Sequence, residues 1–295
     1  MVETYRACEV CGGPDPQLML ESDRLDGPLV RCKGCGFVYV GSRRDNFTFE
    51  QADAIKSSRL AHRVRHLGLF DSATEEAEAP WRRAIAAERL RDIQACQPDG
   101  WLLEIGSADG AFLSLALSAG YRAIGLEADP HTSALGRSRG LDIRTGTLSD
   151  VRFLDDQFDV VALYHVIEHL GAPRHVLSEV GRILRSGGLL AVETPNVDTL
   201  WLELLGPRWR QFIPDHYFFF SPRTISRLLD DTGFDVLRIA RVGKPMSLRL
   251  FLNRLGRFHR GVGQVALTLA RLTRMENFTL RLNLGDVMRV HARHR

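Results

Sequence analysis

The sequence predicts an α/β protein built on a doubly wound, mostly parallel sheet, with a small cysteine-rich domain at its N-terminus. The sheet is predicted because short apolar strands alternate with helical segments between residues 100 and 240, and because a glycine turn joins the first strand to the first helix. The small domain is predicted by two CxxC pairs within the first 35 residues. With 44% hydrophobic residues, the 295-residue chain can form the cores of one large and one small domain.

The glycine turn lies in the first predicted βαβ unit. An apolar strand at residues 101–105 passes through Gly106 and Gly110 into a helical pattern that begins near Phe112. Glycine has no Cβ, so the backbone can approach a ligand closely at such positions. A second strand at residues 123–126 ends at Glu127, an acid that is well placed to bind ribose hydroxyls. The unit therefore predicts nucleotide binding.

The ExGxxxG spacing of Glu104, Gly106 and Gly110 resembles the first motif of the class I S-adenosylmethionine-dependent methyltransferases. A dinucleotide site would show GxGxxG and would face a pyrophosphate, which the acids Glu104 and Asp109 would repel. The same acids suit the amine and the sulfonium of S-adenosylmethionine. The alternative is a glycine turn that serves packing alone. The resemblance implies a set of cofactor-binding residues: Glu104, Gly106, Ser107, Asp109, Gly110, Glu127, Ala128, Thr147, Leu148 and Tyr164.

The resemblance covers residues 80–240 and implies a seven-stranded, Rossmann-like methyltransferase sheet. Further strands are predicted at residues 142–145, 158–163, 189–193, 236–240 and 287–292. In this fold the last two form an antiparallel pair at the edge. A helix at residues 174–184 is expected to stop at Ser186-Gly187-Gly188. Another helix is expected to begin at Pro80, after an acidic loop at residues 71–79.

Four of the five cysteines, namely Cys8, Cys11, Cys32 and Cys35, form two CxxC pairs separated by twenty residues. This spacing predicts a tetrahedral four-thiolate zinc site of the ribbon type, whose role would be structural. Two disulfides, or a redox-active pair, are the alternatives. Because no apolar signal segment precedes the cysteines, a reducing cytoplasm is the expected compartment.

The domain boundaries follow from these patterns. Residues 1–44 are predicted to form the zinc ribbon, residues 45–79 a linking segment with helical character, and residues 80–295 the methyltransferase domain. Within the last of these, residues 246–284 form a basic amphipathic insertion before the final strand.

Basic charge is concentrated at the C-terminus. Residues 238–295 contain thirteen basic and two acidic side chains, a net charge of +11 in a chain whose total is +3. Arginine alternates with leucine or phenylalanine at helical spacing in residues 246–275, which predicts contact with the anionic inner face of a membrane. A lid helix packed on the domain is the alternative. Nucleic-acid binding is less expected, because this charge lies far from the CxxC pairs. The sequence contains no run of eighteen apolar residues, so no membrane span is predicted.

The candidate catalytic residues follow the fourth strand and precede the sixth. At i, i+3 and i+4, His165, Glu168 and His169 can share one face of a helical turn. Their segment resembles the ExxEH stretch of the ubiquinone-biosynthesis O-methyltransferases, which is associated there with a divalent metal. It also resembles the IEH segment of sugar C-methyltransferases that carry an N-terminal zinc knuckle. Here His165 replaces the first acid, and magnesium prefers oxygen ligands.

His169 is the candidate base or substrate-positioning group, and His216 is a candidate for orienting the substrate. For His169 the alternative is a structural role in capping or in the core. The expected reaction is O-methylation of a sugar, glycan or lipid-linked small-molecule acceptor. A quinone-precursor O-methyltransferase, a sugar C-methyltransferase and a non-catalytic zinc-ribbon binding module are the alternatives.

Overall fold

The computed structural model describes residues 5–42, 72–248, 252, 267–270, 272–273, 275 and 278–295. Its strands, in chain order, are β1 (Pro16–Leu20), β2 (Leu29–Cys32), β3 (Val38–Val40), β4 (Trp101–Ile105), β5 (Arg122–Glu127), β6 (Ile143–Thr145), β7 (Phe158–Tyr164), β8 (Leu184–Pro195), β9 (Phe218–Phe219), β10 (Phe234–Arg241), β11 (Lys244–Ser247), β12 (Thr279–Leu282) and β13 (Val287–His294). Its α-helices are α1 (Ser72–Gln94), α2 (Ala111–Ser118), α3 (Pro130–Ser138), α4 (Pro173–Ile183), α5 (Leu200–Leu205) and α6 (Pro222–Asp231).

A seven-stranded sheet forms the centre of the molecule, in the order β10-β13-β8-β7-β4-β5-β6. All neighbouring pairs from β8 to β6 are parallel, whereas β13 runs antiparallel to both β8 and β10. Strands β7 and β8 are apolar and mostly buried, as expected when helices cover both faces of a parallel sheet. The predicted doubly wound sheet and its antiparallel pair are therefore confirmed.

Two predicted boundaries are wrong. Helix α1 begins at Ser72 and not at Pro80, so the predicted acidic loop at residues 71–79 is helical from Ser72 onward. Glutamate and alanine are good helix formers, and they make up most of this acidic stretch. The expected stop at Ser186-Gly187-Gly188 is also displaced. Helix α4 ends at Ile183, and both glycines lie inside β8, whose register with β7 is irregular near its start.

A second, antiparallel sheet joins the cysteine segment to the rest of the chain. Its order is β1-β2-β3-β9, so three strands come from residues 16–40 and the fourth comes from residues 218–219. Val38 pairs with Phe219, and Tyr39 pairs with Phe218. All four of these side chains are almost fully buried. The small sheet thus shares one hydrophobic core with the large one.

The predicted basic insertion lies largely outside the described residues. Its two ends, β11 and β12, pair as a two-stranded antiparallel sheet. Residues 267–270 are helical. Within the part of the chain that the structure describes, no helix is long and apolar enough to cross a membrane.

A buried ion-pair network ties β13 to β8 and α1. The guanidinium of Arg289 lies 2.8 Å from the carboxylate of Glu193 and also pairs with Asp92. A second guanidinium, that of Arg89, lies 2.6 Å from the same Glu193 carboxylate. Arg289 and Glu193 are each 3% exposed or less. Since a charge this deeply buried is costly without a partner, the network predicts strong energetic coupling between these strands and the helix.

Replacing Arg289 with methionine should lower the free energy of unfolding by about 3 kcal/mol, because Glu193 and Asp92 lose a buried partner. Urea denaturation measured by circular dichroism checks this. The matched control is Arg295→Met, whose ion pairs with Asp230 and Asp235 are exposed, and which should leave the urea midpoint unchanged. Equal midpoints for the two variants would contradict the coupling.

Candidate active site

The candidate site lies where the carboxyl ends of β4, β5, β7 and β8 meet, at one edge of the central sheet. Parallel strands gather their ligands at this edge. The glycine turn follows β4, Glu127 ends β5, the His165 segment follows β7, and Glu193 lies near the end of β8. The topology thus brings together residues that are separated by up to about ninety positions in the sequence.

Both glycines of the turn have left-handed backbones, with φ of 74° at Gly106 and 83° at Gly110. A Cβ at Gly106 would lie 2.5 Å from the Cγ2 of Val166, and one at Gly110 would lie 2.2 Å from the Cδ1 of Leu141. Conformation and packing therefore both require glycine here. The protein's own side chains cause this crowding. From the sequence, the need for glycine was attributed to a ligand instead.

Glu127 joins the two turns of the βαβ unit. Its carboxylate accepts hydrogen bonds from the backbone N–H of Ala108 and from that of Asp129, each 2.9 Å long. Its backbone carbonyl accepts from the N–H of Gly146, which places Thr147 and Leu148 beside the same edge. Burial raises the pKa of Glu127, and the two backbone donors oppose that rise.

Three buried polar atoms at this edge have no hydrogen-bond partner among the described residues. They are Oε2 of Glu104, Oγ of Ser107 and the hydroxyl of Tyr164. Burial raises the pKa of the Glu104 carboxyl well above its ordinary value, although the nearby Arg89 guanidinium opposes the rise. Buried polar groups are normally paired with protein or ordered water, so these atoms are candidates for contact with a ligand that donates and accepts hydrogen bonds. S-adenosylmethionine, with its amine, carboxylate and hydroxyls, fits this donor set.

Asp109 and Glu193 are the other acids at this edge, and arginines already neutralise both. Asp109 lies 3.1 Å from Arg82 and 2.9 Å from Arg139. Arg89 pairs with Glu193 and also stacks over the ring of Tyr164, 4.2 Å from its centroid. A cofactor contact from Asp109 or Ala128 stays a prediction. Sequence reasoning missed Arg89, Glu193 and Arg289. A charged residue inside an apolar strand, as at Glu193, was the available signal.

Glu168 is one of the candidate catalytic residues, and its carboxylate is fully buried. It lies in a 3-10 turn, Ile167–His169, that follows β7. One oxygen lies 3.1 Å from Nδ1 of His165, and the other accepts a hydrogen bond from the hydroxyl of Thr194 at 3.0 Å. Burial alone would raise its pKa, but the hydrogen bond with His165 and the charges of His165, His169 and His216 lower it to about 2. Glu168 is therefore ionised.

His169 and His216 lie together although they are far apart in the sequence. Their rings are perpendicular, with centroids 4.6 Å apart. Nδ1 of His169 donates to the backbone carbonyl of Asp215 at 2.7 Å, and Nδ1 of His216 donates to that of Gln211 at 2.8 Å. Since both carbonyls can only accept, Nε2 is the basic atom in the neutral form of each ring.

His165 faces away from this histidine pair. Its backbone is left-handed, with φ of 59°, and its N–H donates to the carbonyl of Glu193 at 2.7 Å. Its Nε2 lies 3.2 Å from a carboxylate oxygen of Glu193 without hydrogen-bond geometry. The three residues therefore do not share one face as expected. His165 bridges two carboxylates, whereas His169 contacts His216.

The cysteine segment contacts the loops that carry these histidines. The N–H of Val40 donates to the carbonyl of Tyr217 at 2.8 Å, and the N–H of Tyr217 donates to the carbonyl of Glu168 at 2.9 Å. From α4, the guanidinium of Arg174 donates to the carbonyls of Glu9 and Val10 at 3.0 and 2.6 Å. Val10 lies inside the first CxxC pair, so α4 contacts the cysteine segment directly.

The four predicted metal ligands form one cluster. The Sγ atoms of Cys8 and Cys35 are 3.5 Å apart, those of Cys11 and Cys32 are 3.4 Å apart, and no disulfide joins them. Each CxxC pair is closed by a hydrogen bond from a left-handed glycine, Gly12 or Gly36, to its first cysteine. Burial would raise the pKa of the Cys32 thiol, but backbone N–H donors lower it to about 7. The cluster is compatible with zinc.

Known proteins resemble this chain over the same region. Residues 75–239, more than half of the chain, match the family model Methyltransf_23, a methyltransferase domain. A probable S-adenosylmethionine-dependent methyltransferase of Mycolicibacterium smegmatis is 36% identical over 138 residues, which cover 46% of this chain and 52% of that protein. A ubiquinone biosynthesis O-methyltransferase of Cereibacter sphaeroides is 28% identical over 179 residues, covering 55% of this chain and 72% of that protein. The chain thus matches about half the length of the first relative.

Solved structures share the fold. A methyltransferase of Haloferax volcanii, in complex with the Trm112 methyltransferase activator, superimposes with a TM-score of 0.54 at 16% identity, covering 75% of this chain and 93% of that one. A SAM-dependent methyltransferase of Thermotoga maritima gives 0.50 at 20% identity, covering 75% and 94%. Together with the sheet order and the family match, this similarity shows that the chain belongs to the class I S-adenosylmethionine-dependent methyltransferases.

Proposed function

We propose that this methyltransferase transfers a methyl group to a hydroxyl oxygen of a sugar, glycan or lipid-linked small-molecule acceptor. The proposal depends above all on the group formed by Glu168, His169 and His216. This group lies at the same sheet edge as three buried polar atoms, of Glu104, Ser107 and Tyr164, that have no partner among the described residues. Such a pair of histidines beside a buried carboxylate suits removal of a hydroxyl proton.

When bound, the cofactor would supply an electrophilic methyl group, and displacement by the acceptor oxygen would form the C–O bond, break the S–C bond and leave the electron pair on sulfur. His169 takes the hydroxyl proton at Nε2, because its Nδ1 already donates to the carbonyl of Asp215. The ionised carboxylate of Glu168 stabilises the resulting imidazolium. Glu104 would hold the cofactor's ammonium, and the hydroxyls of Ser107 and Tyr164 would provide hydrogen bonds to its polar groups.

A groove that none of the candidate catalytic residues lines supports an acceptor with an apolar portion. It has a volume of about 860 Å³ and lies between the ribbon strands and α5, next to residues 197–199 that follow β8. Leu200 and Leu204 on α5 are 71% and 73% exposed, and Arg31 and Arg223 line the same groove. Exposed apolar side chains suit a lipid-linked molecule, and the charged lining is mixed, because Asp198 and Glu203 accompany the arginines.

Contact with a membrane surface through residues 246–275 remains part of this proposal. Most of these residues lie outside the described part of the chain, but Leu269, Leu272 and Met275 are between 48% and 76% exposed. We also propose that Cys8, Cys11, Cys32 and Cys35 hold a structural zinc ion. Four sulfurs at about 2.3 Å would complete its tetrahedral shell without an open position.

A quinone-precursor O-methyltransferase is the second candidate function. The similarity to the ubiquinone biosynthesis O-methyltransferase of Cereibacter sphaeroides favours it, since that similarity covers 72% of that protein. Glu168 and His169 occupy the last two positions of the ExxEH pattern. The two candidates differ in the acceptor and share the proton-transfer chemistry.

Gly106→Ala should abolish S-adenosylmethionine binding, because the new Cβ would meet Val166 at 2.5 Å and distort the turn. Calorimetry on the purified protein measures this. Gly120→Ala is the matched control, since Gly120 is also left-handed, with φ of 96°, but has no atom within 4 Å of the position of a Cβ. Equal binding by both variants, or no binding by the folded wild type, would contradict the cofactor assignment.

The affinity for S-adenosylmethionine should rise with pH above the ordinary titration range of a carboxyl group. The pKa of Glu104 is raised in the free protein, and the cofactor's ammonium favours the ionised carboxylate, so binding releases a proton. Calorimetry in buffers of different ionisation enthalpy detects that proton. Glu104→Gln should bind weakly and without this pH dependence, whereas Glu179→Gln, at a partly exposed position on α4, should behave like the wild type. A pH-independent wild type would disprove the linkage.

His169→Ala should reduce kcat by a factor of about 10² to 10⁴ with little change in cofactor affinity, because a general base is lost. The assay measures transfer of a labelled methyl group to nucleotide sugars, to lipid-linked glycans and to catechol-type quinone precursors. His175→Ala, at an exposed position on α4, is the control. Transfer to the catechols alone would replace the first candidate function with the second. Transfer that His169→Ala leaves unchanged would remove His169 from the mechanism.

A further inference from the structure

Glu104, Tyr164, Glu193 and Arg289 share one face of the central sheet. Glu104 pairs with Ala162 on β7, two residues before Tyr164. Tyr164 pairs with Glu193 on β8, and Glu193 pairs with Arg289 on β13. Side chains alternate between the two faces along a strand, so these four project from the same face. Helix α1 packs on that face. The helix therefore covers a row of ionisable side chains.

Arg89 extends from α1 into this row and binds Glu193. Its Nη2 and Nε donate to the two oxygens of that carboxylate at 2.6 and 3.3 Å. The guanidinium also lies over the ring of Tyr164, 4.2 Å from the centroid, and its positive charge acts on Glu104. Oε2 of Glu104, however, has no hydrogen-bond partner among the described residues. One guanidinium thus acts on two carboxylates and is hydrogen-bonded to Glu193.

A larger ion-pair network fixes the place of Arg89. Arg289 donates to Glu193 from β13 and also pairs with Asp92 on α1. The side chains of Arg89 and Glu193 are only 15% and 2% exposed, and a buried ion is costly without a partner. Because Asp92 is occupied by Arg289, loss of the charge on Glu193 would leave Glu104 as the acid for Arg89. The strand of Glu104 lies roughly 10 Å from β8, within reach of a long side chain between them.

We propose that Glu193 is a positioning residue for the cofactor, which keeps the Arg89 guanidinium from pairing with Glu104. Glu193 acts through Arg89 and has no need to touch the ligand itself. The carboxylate of Glu104 then stays available to a ligand that carries an ammonium group. This inference rests on the proposed function, in which Glu104 holds the ammonium of S-adenosylmethionine.

The groups that surround Glu104 determine how its titration reports this pairing. Burial raises the pKa of Glu104 well above its ordinary value, and the charge of Arg89 opposes that rise. The negative charges of Glu127 and Asp109 raise the pKa further, whereas a hydrogen bond from the backbone N–H of Leu113 lowers it. Direct pairing with Arg89 would lower the pKa strongly, because an adjacent positive charge favours the ionised carboxylate. Glu104 would then be ionised but already occupied.

Carbon-13 NMR titration of the glutamate carboxyl groups tests this contact without any ligand. Glu104→Gln assigns the signal. We expect Glu193→Gln to lower the pKa of Glu104 by about 1 to 3 pH units, because Arg89 moves to it. The double variant Glu193→Gln/Arg89→Met should return the pKa at least to its wild-type value. An unchanged pKa in Glu193→Gln, or no return in the double variant, would overturn the proposal.

Asp286→Asn is the matched control for this titration. Asp286 is also a buried acid, 1% exposed, and it pairs with Arg210. Its loss should lower stability without changing the pKa of Glu104. Near-ultraviolet circular dichroism shows whether each variant is folded. If Glu193→Gln does not fold, Glu193→Asp, which keeps the charge on a shorter side chain, should give a smaller shift in the same direction. Absence of that shift would overturn the proposal.

Calorimetry with S-adenosylmethionine measures the consequence for the ligand. Glu193→Gln should bind about 10- to 100-fold more weakly, and its binding should no longer release a proton, because Glu104 is already ionised. Asp286→Asn should keep the wild-type affinity and proton release. A loss of stability alone leaves the proton release unchanged, so this measurement separates positioning from a purely structural role.

Two outcomes separate this inference from the proposed function. Wild-type binding that releases a proton and is unchanged in Glu193→Gln would refute the inference and leave Glu104 as the group that holds the ammonium. A lowered pKa of Glu104 in Glu193→Gln, together with no S-adenosylmethionine binding by the folded wild type, would support the hold of Glu193 on Arg89. It would refute the cofactor role of Glu104 in the proposed function.

Discussion

The buried carboxylate of Glu168 is the group on which the candidate site depends. No part of its side chain reaches solvent, so its charge must be balanced by neighbours, and three histidines and a threonine surround it. The need to balance this charge accounts for the positions of His165 and His169, and of His216, which lies on a loop distant in the sequence. The carboxylate is therefore both a structural constraint and the centre of the proposed chemistry.

The same principle governs the other acids at this edge. Asp109 and Glu193 are each neutralised by two arginines, and Glu127 is held by two backbone N–H groups. Glu104 alone among these four has a carboxylate oxygen that is buried and without a partner among the described residues. A cationic ligand is thus directed to one position, because the remaining negative charge is already compensated.

The N-terminal sheet is built into the part of the molecule that carries the candidate site. Pairing of β3 with β9 places a ribbon strand next to the loop that carries His216, and Arg174 binds the backbone of the first CxxC pair. A change in the cysteine cluster would therefore reach the histidine pair through a few hydrogen bonds. This connection gives a physical reason why a closed, structural metal site would affect methyl transfer without touching a substrate.

The sequence by itself determined the fold and the sheet edge to which the candidate site is assigned. The fold follows from local patterns: apolar strands of a length suited to a parallel sheet, the turn at Gly106 and Gly110, and the acid at Glu127. Each of these features is found where it was predicted. Only the tertiary structure decided three other contacts. His169 packs against His216, His165 lies beside Glu193, and β9 joins the N-terminal sheet. These contacts join residues more than twenty-five positions apart, and the balance of buried charge that selects them depends on the three-dimensional neighbourhood of each group.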